Sequence, residues 1–144
     1  MEFFPYLPSL EQTKLFIERM QNQFNKNGFC YFAVDVLETE EFIGFIGIAE
    51  QTFEADFTPC IDIGWRLDKK YWKKGYASEG AKRCLEFAFE TKKLESIKAV
   101  APKINLKSRK VMEKIGMKYM KDFKHPALKG DKRLEICVLY EINR

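Results

Sequence analysis

The sequence predicts an α+β domain in which a mixed β-sheet carries helices packed on it. Three strand-like segments follow one another between residues 29 and 67. Beyond residue 67, helix-like and strand-like segments alternate. The helical segments each carry an apolar stripe, so they need a sheet face to cover. Strands in a row followed by strand–helix alternation imply a mixed sheet flanked by helices, in the order α-β-β-β-α-β-α-β-β. The chain has 144 residues and shows no repeat, low-complexity stretch or Gly/Ser-rich linker, so residues 1–144 read as a single domain.

Ser9-Leu10-Glu11-Gln12 has the pattern of a capping box. Phe16, Met20 and Phe24 follow at helical spacing with Ile17 beside them, and Asn27-Gly28 supplies a left-handed stop, so residues 10–27 read as helix. Phe29 to Val36 is aromatic and β-branched, Leu37 to Glu40 is a polar turn, and Phe42 to Ala49 is a second apolar run containing Gly44 and Gly47. The two runs read as a hairpin. Residues 51–59 form a loop. Cys60 to Leu67 alternates, with Ile61, Ile63, Trp65 and Leu67 on one face and Asp62, Gly64 and Arg66 on the other.

Asp68 to Gly75 is polar and ends on glycine. A helix begins near Ala77, buries Ala81, Cys84, Leu85, Ala88 and Phe89, and ends at Lys92-Lys93, where cations suit the helix dipole. Ser96 to Ala101 is a short strand. Asn105 to Ile115 is an amphipathic helix with Val111 and Ile115 inward and Gly116 as its stop. Met117 to Phe123 and Leu134 to Ile142 read as the last two strands, joined by a loop carrying His125-Pro126 and Lys129-Gly130.

Composition narrows the function classes. Hydrophobic residues make up 46% and aromatics 15%, which argues against a disordered tail. The net charge of +4 comes from interspersed signs, too mild to point to nucleic acid. No apolar run approaches the roughly 20 residues of a membrane span. The N-terminus lacks a basic n-region and a long apolar stretch, so a cytoplasmic location is expected. One His, and four cysteines (Cys30, Cys60, Cys84, Cys137) with no Cys-x-x-Cys pair, argue against a metal site; the cysteines read as small apolar residues.

The junction from strand 60–67 through Asp68–Tyr76 into the next helix carries the chemistry. A helix N-terminus exposes N–H groups and partial positive charge, which together attract an anion. Gly75 and the small Ala77 allow close approach, and Lys73 and Lys74 add mobile charge. A pyrophosphate suits such a site; the plainer alternative is a βα turn with solvated lysines. The glycine spacings of the P-loop and of the dinucleotide fingerprint are both absent.

Ile63-Gly64-Trp65-Arg66-Leu67 followed by Tyr71-Trp72-Lys73-Lys74-Gly75-Tyr76-Ala77-Ser78-Glu79-Gly80 resembles the acetyl-CoA signature of the GNAT acetyltransferase superfamily. It is most similar to the RimJ/RimL-like branch. Trp72 stands where the superfamily has Arg or Gln, and Trp there is common in that branch. Asn105-Leu106-Lys107-Ser108 resembles the family's Asn-x-x-Ser helix, and Asp122-Phe123-Lys124-His125-Pro126-Ala127-Leu128 resembles the branch's loop before the last strand.

The resemblance implies a mostly antiparallel GNAT-type sheet in a three-layer arrangement and transfer of acetyl from acetyl-CoA to a primary amine, on a small molecule or a protein N-terminus. A non-catalytic or weakly active acyl-CoA-binding domain is the alternative on the same fold. By the same resemblance, Trp72, Lys73, Lys74, Gly75, Tyr76 and Ala77 would hold the pyrophosphate, and the backbone of Trp65, Arg66 and Leu67 would pair with the pantetheine arm. Asn105 would hydrogen-bond that arm or simply cap its helix, and Ser108 would donate to the sulfur unless it merely faces solvent. Asp62, Glu50 and His125 are the candidate general bases, His125 for its unperturbed pKa. Phe3, Phe4, Pro5 and Tyr6 would line the acceptor site or staple the first helix. The family carries a strand and a helix ahead of the first helix seen here. Without them the strand Phe29–Val36 is expected to be an exposed edge, open to pairing in a homodimer, or the transfer activity to be weak.

Overall fold

The computed structural model describes residues 9–144, so the segment Phe3-Phe4-Pro5-Tyr6 lies outside the described residues. Helix α1 is Leu10–Asn27, and the capping box is present: Ser9 Oγ accepts from Gln12 N–H at 3.1 Å while the Gln12 side chain accepts from Ser9 N–H at 2.8 Å. Gly28, at φ 81°, ends the helix. Strands β1 (Tyr31–Asp35) and β2 (Phe42–Gln51) form the antiparallel hairpin, and β3 is Cys60–Leu67. Helix α2 is Tyr76–Glu86, prolonged by one wider π turn over Phe87–Thr91. Then come β4 (Ser96–Pro102), α3 (Leu106–Lys114), β5 (Lys118–Lys124) and β6 (Ile136–Asn143).

The six strands form one mixed sheet in the order β1-β2-β3-β4-β6-β5. Every neighbouring pair is antiparallel except β3–β4. The order of helices and strands matches the sequence expectation, and the elements differ only at their ends.

The core is built from Ile48, Ile63, Ile97, Ala99, Val138 and Tyr140 of the sheet against Ala81, Leu85 and Ala88 of α2 and its extension, Met112 of α3 and Ile115 at its C-cap. Met112 is the most buried residue of α3, and the expected Val111 is half-buried and packs against the same core. On the other face of the sheet, α1 lies over the hairpin. Phe16 of α1, Tyr31 of β1 and Phe45 of β2 form a run of ring contacts at 5.3–6.5 Å.

Because both faces are covered, the alternation along β3 does not translate into buried and exposed. Ile63 is buried on the core side and Asp62 is buried on the opposite side. All four cysteines are free thiols, Cys30 and Cys137 buried and Cys60 and Cys84 half-buried. Among the described residues no helix is long and apolar enough to cross a membrane.

Candidate active site

The site begins where the sheet comes apart. β3 and β4 share a single register pair, Asp62↔Lys98. Beyond it the two strands separate, and residues 63–67 of β3 have no strand partner on that side. Unpaired strand backbone must find another hydrogen-bonding group, which an extended amide-bearing ligand can supply. The opening is a cleft of about 200 Å³ walled by Tyr31, Asp62, Trp65, Arg66, Val100 and Ser108, among others.

The turn after β3 follows directly on this unpaired segment. Asp68 caps a short 3-10 turn, Lys69–Tyr71, accepting from Lys70 N–H at 3.2 Å. The buried Tyr71 donates its hydroxyl proton to the Glu41 carboxylate, which anchors the turn to the start of β2. The indole Nε1–H of Trp72 donates to the Leu67 carbonyl at 2.9 Å, and the Lys107 ammonium lies 4.2 Å from the centre of its ring. Trp72 thereby ties the turn to the end of β3 and to α3 at once.

Lys73 (φ 63°) and Gly75 (φ 82°) both take left-handed backbone. Helix α2 starts at Tyr76 with no side-chain cap, so its first N–H groups have no partner of that kind. A Cβ built on Gly75 would meet no atom within 4 Å; the space in front of the helix terminus is open. Lys73 and Lys74 are exposed beside it, while Tyr76 and Ala77 are half-buried in the first turn.

On the far wall Asn105 caps α3, its side-chain oxygen accepting from Ser108 N–H at 3.1 Å. That contact fixes Ser108 in the cleft wall. Asp62 is 9% exposed and accepts from Tyr31 Oη at 2.5 Å and from Gln51 Nε2 at 3.3 Å. Gln51 also donates to Tyr31 Oη at 3.0 Å. Burial raises the Asp62 carboxyl to about 6, against the lowering pull of its two donors. Burial, and then the charge of Asp62, push the Tyr31 hydroxyl well above the tyrosine range.

The other two candidate bases sit elsewhere. Glu50 pairs with Lys26 at 3.2 Å, and its backbone is held by Gln23, so it pins α1 to β2. His125 Nδ1 accepts from Ala127 N–H at 3.1 Å and the ring lies 4.3 Å from that of Phe53. Burial lowers its pKa, which keeps the imidazole neutral near pH 7, with its proton on Nε2. Asp62, Trp65, Arg66 and Ser108 therefore meet in one cleft, and His125 and Glu50 stand outside its wall.

Residues 1–118 match the family model for the acetyltransferase (GNAT) domain. The chain belongs to the GNAT acetyltransferase family. Similar proteins include YkkB of Bacillus subtilis, 30% identical over 121 residues, 84% of this chain and 69% of that protein. The N-acetyltransferase YnaD of the same organism is 41% identical over 70 residues, 49% of this chain and 41% of that protein, so the chain spans less than half of YnaD. A GNAT acetyltransferase structure from Bacillus anthracis overlays with a TM-score of 0.76 at 28% identity, covering 99% of this chain and 80% of that one. GNAT enzymes use acetyl-CoA as co-substrate.

In this GNAT chain the sequence alone does not point to Tyr31, in the cleft wall, or to Gln51, which donates to both Tyr31 and Asp62. The signal that could have found Tyr31 is the glycine pair Gly47 and Gly64, which lie side by side in the β2–β3 register with Tyr31 opposite Gly47. A Cβ on Gly64 would come within 3.0 Å of the Tyr31 ring. Glycine inside a strand marks such a close approach.

Proposed function

We propose that this chain transfers an acetyl group from acetyl-CoA to a primary amine. The observation that carries the reading is the continuity of two features: a strand released from its neighbour over residues 63–67, leading directly to a helix N-terminus with no side-chain cap. The first suits the amides of a pantetheine arm and the second suits a pyrophosphate. Lys73, Lys74, Gly75, Tyr76 and Ala77 hold the phosphates, Trp65, Arg66 and Leu67 the arm, and Trp72 braces the turn they form. Asn105 orders α3 so that Ser108 faces the arm's sulfur end. When bound, acetyl-CoA supplies an activated thioester; Ser108 donates a hydrogen bond toward the sulfur and Asp62 takes a proton from the amine.

Trp72 and the stretch Asp122–Leu128 support the RimJ/RimL-like branch, whose acceptors include protein N-termini. Residues 1–144 act as one domain in this reading. β1 ends the sheet among the described residues and leaves Phe32 half-exposed beside Phe24, which supports pairing of this edge with a second copy. Sedimentation showing a dimer at micromolar concentration is expected; a monomer throughout would contradict it.

Thiol release from acetyl-CoA with a panel of small amines and N-terminal peptides tests the transfer. Amine-dependent release is expected. Saturable acetyl-CoA binding with no release by any amine would replace the reading with a non-catalytic acyl-CoA-binding domain.

A further inference from the structure

We infer that Tyr31 and Gln51 are positioning residues that hold Asp62 as the receiving carboxylate for the ammonium group of the acceptor. This rests on the acetyl-transfer reading above. Asp62 and Ser78 are the buried polar residues among the described ones. A buried carboxylate is costly unless its oxygens are partnered. Here the partners come from two other strands, Tyr31 of β1 and Gln51 of β2, and they also bond each other. Neither carries charge, so neither neutralises the carboxylate.

The carboxylate is not sealed into the core. It lies at the point where β3 and β4 part and forms part of the cleft wall that also holds Ser108. Tyr31 cannot drift from it, because its ring lies over Gly64 and stacks on Phe45 at 5.4 Å. The same wall presents the rings of Tyr31, Phe45 and Trp65. An aromatic lining beside a carboxylate suits an aliphatic ammonium better than an anionic acceptor. The other charged or titratable groups around it are Cys60 and Arg66 on β3, Arg19 on α1, and Lys98 on β4, which is paired with Glu141 of β6 at 3.0 Å.

Of the three protons on the ammonium, one passes to Asp62 and on to solvent, one goes to the departing thiolate, and one stays on the amide. The nitrogen bonds the acetyl carbon as the carbon–sulfur bond breaks. Tyr31 and Gln51 keep the carboxylate anionic at neutral pH and aimed into the cleft, against a burial that would protonate it.

The test is a pH titration of the Asp62 carboxyl by carbon-13 NMR in the CoA-bound protein, with D62N assigning the signal and n-butylammonium as probe. Butylammonium is expected to lower the wild-type midpoint. Y31F is expected to raise the midpoint without the probe, and Q51L serves in its place should Y31F not fold. A midpoint unmoved by the probe, or unmoved by the variant, overturns the inference while CoA binding persists. Failure of CoA to bind would instead overturn the acetyl-transfer reading.

Discussion

Asp62 sits ionised at neutral pH in a place where ionisation is expensive, and this has a consequence for stability. Its folded-state carboxyl is raised from 3.8 to about 6, so between those values the folded chain holds a proton that the unfolded chain has lost. Stability then falls as the pH rises through that window. A shift of this size corresponds to about 3 kcal/mol at most. Asp62→Asn is therefore expected to melt several degrees higher than wild type near about pH 8, with the gap closing below about pH 4. Thermal melts of both proteins across that range check it; a gap independent of pH would refute it. Trp72 is the second residue with a defined job. Trp72→Phe keeps the ring under Lys107 but loses the N–H bond to Leu67. Acetyl-CoA affinity is expected to fall about five-fold, the worth of one hydrogen bond of about 1 kcal/mol, as read by calorimetry. The role of Trp72 as a brace could not be read from the sequence, because its partners Leu67 and Lys107 belong to different elements. For the same reason Tyr31 went unseen: its hydroxyl partner lies two strands away. The alternation in β3 separated Asp62 from Ile63, but it could not show that Asp62's face is covered as well.

Elements whose ends are set by local chemistry were legible to the residue. α1 runs between its Ser9–Gln12 capping box and Gly28, and β3 spans Cys60–Leu67 as its alternation predicts. Helix α2 begins one residue earlier than expected, at Tyr76, because Gly75 in left-handed backbone is the true N-cap. The π turn over Phe87–Thr91 left no local signature; it interrupts a helix whose apolar spacing continues unbroken. The cap of α1 matters because this helix exposes Leu10, Leu15 and Ile17 and buries little beyond Met20. Ser9→Ala is expected to cost about 1 kcal/mol and to lower Tm by about 2–4 °C in a thermal melt, the cost of one lost N-cap. An unchanged melt would mean that α1 contributes nothing to global cooperativity.

Sheet order is a property of the whole chain. The sequence predicts a mixed sheet flanked by helices, and the fold has it. It does not show that β4 is inserted between β3 and β6, nor that β3 and β4 meet at a single pair. That parting depends on contacts distant in sequence: α3 packed behind the cleft through Met112, Tyr31 reaching across from β1, and the Trp72 brace at the top. It leaves an unpaired strand edge that runs on, in sequence, into the βα turn and the start of α2. The turn's residues were legible because their chemistry is local: a glycine, two lysines and a helix start.

Calorimetric titration of acetyl-CoA into wild type and Gly75→Glu tests the proposed site most directly. Position 75 has open space for a side chain, and the strain of a non-glycine residue at φ 82° is on the order of 1–2 kcal/mol, so the fold is expected to survive. In the proposed site a carboxylate there would face the phosphates across the helix terminus. Saturable one-to-one binding to wild type is expected, with affinity lowered about 100-fold or more in the folded variant, the loss of a charge-assisted anion site. Equal affinity in the two proteins would show that the turn from Trp72 to Ala77 does not hold the pyrophosphate.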